Sequence, residues 1–121
     1  MTKLTGKQIA AEGLTGWVLL ANSLRTRIRS GDFATGLALV NAIGRAAEEM
    51  NHHPDLDLRY PHLDVRLSSH DENGVTQRDV RLARTVSGLV AEAGLTHASM
   101  PKLLVRTVGV LLLSRELPSK S

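Results

Sequence analysis

The feature that most constrains the fold is a hydrophobic period that switches twice from two residues to 3.6. After an apolar run over Trp17–Leu20, Leu24 and Ile28 alternate with Arg25, Arg27 and Arg29, as in a half-buried strand. Asp32 then offers an N-cap, and Phe33, Leu37, Val40, Ala47 and Met50, widened by Ile43 and Ala46, recur at helical steps. The cycle repeats. Leu56, Leu58 and Tyr60, then Leu63, Val65, Leu67 and Ser69, alternate with Asp57, Arg59, Asp64, Arg66, Ser68 and His70. Val80, Ala83, Val86, Leu89 and Ala93 return to helical spacing until Gly94. With a short helix expected over residues 3–13, the order is helix, two strands, helix, two strands, helix. It predicts an α+β domain of two layers, a four-stranded antiparallel sheet with its helices on one face.

A chain of 121 residues suffices for one modest core. With one Trp, one Tyr and one Phe, that core must be aliphatic. The domain is expected over residues 1–95, followed by a C-terminal extension, 96–121, whose apolar run Leu103–Leu113 is expected to be helical over 99–116, with strand as the alternative. That run is far short of the roughly 20 residues that span a bilayer, and Met1–Gly6 lacks the apolar stretch of a signal peptide. The absence of cysteine excludes disulfide and thiolate chemistry and fits a reducing compartment, so a soluble cytoplasmic protein is expected. The net charge of +3 comes from dispersed arginines. Alternation of Arg25, Arg27 and Arg29 reads first as the wet face of a strand and second as an anion-binding surface; nucleic acid is not an expected partner.

Chemistry concentrates between Glu48 and Asp79. His52 and His53 end the long helix, where the negative end of the macrodipole favours an imidazolium, and Pro54 stops it. Glu48, one turn earlier, is placed to hydrogen-bond His52; a cationic helix cap would account for the same pair. His70 falls on the strand face opposite Leu63, Val65 and Leu67, so it is a site residue or simply an exposed one. Asp79 completes a capping box with Thr76, a role that does not exclude catalysis. Adjacent histidines without a His-Glu-x-x-His arrangement argue against a metal, and no Gly-x-Ser-x-Gly elbow points to a serine hydrolase. No Gly-rich phosphate loop or other cofactor motif is present.

Glu48-x3-His52-His53-Pro54-x5-Tyr60-x9-His70-x8-Asp79 resembles the signature of the pterin-4a-carbinolamine dehydratases. The flanks Leu14-Thr15-Gly16-Trp17, Ser30-Gly31-Asp32-Phe33 and Gly74-x-Thr76-x2-Asp79-x2-Leu82-Ala83 are similar too, so the resemblance covers roughly residues 3–95. It departs at Thr26 and Ile28, where the family often carries aromatics, and over residues 96–121. The resemblance implies a hydro-lyase of tetrahydrobiopterin recycling, dehydrating 4a-hydroxytetrahydropterin to the quinonoid dihydropterin with no metal or cofactor. It implies His52 and His70 as the acid/base pair, His53 as a pterin and 4a-hydroxyl ligand, and Asp79 with Glu48 as orienting carboxylates. It also implies a homo-oligomer, dimer or tetramer. The rival reading is a non-catalytic binding protein, since family members serve as dimerisation partners of a homeodomain transcription factor.

Overall fold

The computed structural model describes residues 2–99 and the backbone of Leu111–Leu112. Thr5 opens α1 (Gly6–Ala11) through a capping box with Gln8. Strands β1 (Val18–Leu20) and β2 (Ser23–Arg29) follow, then α2 (Phe33–Met50), capped by the Asp32 carboxylate accepting from the Thr35 amide at 2.7 Å. After β3 (Asp55–Leu58) and β4 (His62–Leu67), a 3-10 turn over His70–Glu72 leads to α3 (Gln77–Glu92). The two-residue strands β5 (Thr96–His97) and β6 (Leu111–Leu112) complete the sheet. Its order is β3-β4-β2-β1-β6, all antiparallel, with β5 on β2. The α+β architecture and antiparallel sheet are as the periodicity predicts.

Register explains the layers. Leu24, Thr26 and Ile28 on β2 stand opposite Leu67, Val65 and Leu63 on β4, and all six are buried under the helices. Ile43 from α2 and Leu82, Ala83 and Val86 from α3 close the core from above. Each fully buried Leu, Ile or Val contributes roughly 1.5–3 kcal/mol, and the mainly aliphatic core holds one aromatic ring, Trp17.

The buried face of α2 differs from the expected stripe. Gly36, Leu39, Ile43 and Ala47 face the core, while Phe33 and Leu37 are exposed. The cause is close packing at Gly36: a Cβ there would come within 2.7 Å of Leu58 Cδ1, so a glycine is the residue that lets α2 lie against β3. A stripe read from large residues alone misses a face built on small ones.

His97, which falls in the expected C-terminal extension, is held in the sheet. The Trp17 indole donates to Ser87 Oγ at 2.9 Å, and Ser87 lies 3.4 Å from His97 Nε2. The Thr26 hydroxyl donates to the Gly16 carbonyl at 2.7 Å, which leaves its oxygen to accept from His97 Nδ1 at 2.6 Å. The Nδ1 contact therefore has the ring as donor, while at Nε2 the Ser87 hydroxyl can either donate or accept. The Trp17 and His97 rings pack 6.2 Å apart, and at Gly16 (φ 91°) a Cβ would come within 2.5 Å of the imidazole. Thr26 of β2 is the residue that receives His97.

Most of the helix expected over residues 99–116 lies outside the described residues. Leu111–Leu112 pairs as a strand with Val18 and Leu19 of β1. No helix among the described residues is long and apolar enough to cross a membrane.

Candidate active site

The end of α2 decides where its two histidines go. Asn51 adopts the left-handed conformation (φ 50°), common one step past a helix end, and the His52 amide still bonds the Ala47 carbonyl at 3.1 Å. Through this bend the neighbouring side chains part. His52 turns inward and is buried; His53 stays half-exposed and pairs with the Glu48 carboxylate. Glu48 therefore holds His53, not His52 as one-turn spacing suggests. The left-handed residue between them breaks the helical repeat on which that spacing rule depends.

His52 Nε2 lies 2.6 Å from Asp79 Oδ1, and Asp79 is completely buried. The other carboxylate oxygen, Oδ2, accepts from Ser69 Oγ at 2.7 Å and from the Thr76 amide at 3.0 Å. The Thr76 hydroxyl is 2.9 Å from Ser69 Oγ, closing the network. Asp79 is thus both the second half of the α3 capping box and the partner of an imidazole, one oxygen for each task. Because a carboxylate only accepts, the contact proton sits on His52 Nε2. Nδ1 makes no bond to any described residue.

His70 follows Ser69 directly. Ser69 points inward to Asp79, and His70 opens the 3-10 turn on the exposed side, where it lines a pocket of about 230 Å³. The His52 pair and His70 thus share a two-residue junction at the end of β4. Tyr60 is elsewhere, mostly exposed (68%) at the β3–β4 turn. His62 lies 3.9 Å from Asp64 on the sheet face opposite the described helices, away from this network. Among the described residues no three His, Asp or Glu side chains converge as a metal site.

Ser69 and Thr76 complete the network; Thr76 is legible in the sequence as the capping-box partner of Asp79, whereas Ser69 is not singled out. The signal of Ser69 is burial: it falls on the inward phase of β4 behind Leu63, Val65 and Leu67, where a polar residue needs a partner.

Comparison with known proteins places the chain among relatives. A protein of Herpetosiphon aurantiacus is 38% identical over 86 residues, 71% of this chain and 90% of that protein. One of Mycobacteroides abscessus is 40% identical over 88 residues, 71% of this chain and 94% of that protein. Both are named provisionally as pterin-4-alpha-carbinolamine dehydratases. A solved structure from Brucella melitensis, described as a transcriptional coactivator/pterin dehydratase, matches with a TM-score of 0.67 and 29% identity, covering 73% of this chain and 98% of that one. The family profile described as Pterin 4 alpha carbinolamine dehydratase matches residues 2–89, which hold the whole His52–Asp79–Ser69 network and His70. On this match the chain belongs to the pterin-4a-carbinolamine dehydratase family.

Proposed function

We propose that this protein dehydrates a 4a-hydroxytetrahydropterin to the quinonoid dihydropterin by histidine acid/base catalysis. The observation that carries the reading is the buried Asp79 carboxylate fixed on His52 Nε2. Departure of the 4a-hydroxyl as water needs a proton on its oxygen, and closing the C4a=N5 double bond needs the N5 proton removed. Imidazoles suit both transfers, because each can hold or release a proton near neutral pH. Asp79 fixes the tautomer of His52 and aims Nδ1; the exposed ring of His70 supplies the second proton-transfer group. His53, oriented by Glu48, is a ligand for the pterin and its 4a-hydroxyl. In the cell this activity would return a hydroxylated pterin to the recycling of tetrahydrobiopterin, in the cytoplasm.

A binding-only role, which the description of the Brucella protein also invites, would require neither a tautomer-fixed His52 nor the exposed His70 beside it. The exposed Phe33 and Leu37 on α2 support a homo-oligomer, expected as a mass above the 13.1 kDa monomer in light scattering. The proposed chemistry takes no metal. Dehydration of freshly generated carbinolamine should proceed at an unchanged rate after exhaustive treatment with EDTA. A rate that collapses with chelator and returns with zinc contradicts the proposal.

A further inference from the structure

On the face of the sheet opposite the described helices, side chains meet in rows set by the register. One row holds Arg27, Asp64 and Asp57; the next holds Arg25, Arg66 and Asp55. In the first row the carboxylates have their partners: Arg27 bonds Asp64 twice, at 2.7 and 3.0 Å, and Arg59 bonds Asp57 at 2.9 Å. The second row is unbalanced. Arg25 and Arg66 stand directly opposite each other across an antiparallel pair, an arrangement of like charges that destabilises a sheet. Asp55, 3.3 Å from Arg66, is the one carboxylate of that row. Arg25 donates through Nε to Ser23 at 2.9 Å, and no carboxylate of the described residues lies within ion-pair distance of it.

This surplus of positive charge borders His70. The pocket of about 230 Å³ is lined by Arg25, Arg66, Ser68, His70, Asn22 and Asn73, all of which can donate a hydrogen bond. The aliphatic stem of Lys3 lies over Gly74 at the rim, so close that a Cβ there would come within 2.3 Å of it. Asp71, in the same turn as His70, is taken up by Arg78 at 2.6 Å.

We propose that this pocket recognises an anionic oxygen group, phosphate or carboxylate, carried by the substrate. Two guanidinium groups side by side match such a group in charge and in fork geometry, and an anion between them would relieve their repulsion. The inference rests on the reading of His70 as a pterin-site residue, because His70 belongs to both. The substrate class it names is a 4a-hydroxytetrahydropterin whose ring substituent ends in an anionic group. Arg25 and Arg66 set that specificity, and Arg27, already held by Asp64, does not.

The test is titration of the protein with inorganic phosphate, and separately with acetate, followed through the NMR signals of the His70 ring without any pterin present. Saturable shifts with at least one anion are expected, about tenfold weaker binding in Arg25→Gln and Arg66→Gln, and no change in Arg27→Gln. Which anion saturates identifies the group. No saturable shift with either anion, or unaltered binding in folded Arg25→Gln and Arg66→Gln proteins, overturns the inference. Turnover of a neutral carbinolamine is measured in parallel. Anion binding without turnover keeps the pocket and removes the dehydratase reading; turnover without anion binding does the reverse.

Discussion

Asp79 shares one carboxylate between a helix end and an imidazole, and the two tasks can be separated by substitution. An asparagine keeps the shape but has one acceptor oxygen. If that oxygen faces the Ser69 hydroxyl and Thr76 amide, the amide NH2 faces His52 and forces the ring to carry its proton on Nδ1, the nitrogen proposed to face the substrate. Asp79→Asn should therefore lower the dehydration rate by roughly 10²-fold or more, the usual size of a disabled general acid or base. Loss of a buried charge-assisted bond should cost about 1–3 kcal/mol of stability. Nitrogen chemical shifts of His52 check the tautomer directly; wild-type turnover in Asp79→Asn would remove Asp79 from the site. The candidates His52, His53, His70, Asp79 and Glu48 are all visible in the sequence as residue types with proton chemistry. Their pairing is not. Glu48 reaches His53, and His52 reaches Asp79, because of the left-handed turn at Asn51, and nothing in linear spacing announces that turn.

At the scale of elements, strands were easier to read than helix faces. A strand exposes its buried side by simple alternation, so Leu63, Val65 and Leu67 were legible at once. The inward side of α2 was not, because it is built on Gly36 and Ala47, and large residues at Phe33 and Leu37 mislead a search for apolar stripes. The strand β5 was illegible for a different reason. Two residues carry no period, and His97 gains its place through tertiary contacts with Trp17, Ser87 and Thr26. Those contacts give β5 a pH dependence. Burial holds the His97 imidazole below the ordinary histidine value of 6.5, so the folded ring stays neutral where the unfolded chain has already taken a proton. Its contribution is complete above the unfolded value and is lost as pH falls towards the folded one. Thermal unfolding at about pH 7.5 and about pH 5 should show a larger loss of stability in wild type than in His97→Gln. Equal losses would mean that the ring is not held neutral by its surroundings.

The whole molecule divides its labour between the two faces of one sheet. The helical face carries the aliphatic core and, at its rim, the buried Asp79 bonded to His52. The opposite face carries the arginine rows, and the end of β4 joins the two where Ser69 turns in and His70 turns out. This explains why residues so far apart in the chain, from His52 to Asp79, must come from two helices and a strand to make one site. The sharpest measurement of that account is the dehydration rate of His52→Ala and His70→Ala proteins, beside His62→Ala as a histidine outside the site. Each of the first two should fall by roughly 10²-fold or more while His62→Ala stays near wild type and all three remain folded. Full activity in either His52→Ala or His70→Ala, or an equal loss in all three, would contradict histidine acid/base catalysis at the His52–Asp79–His70 junction.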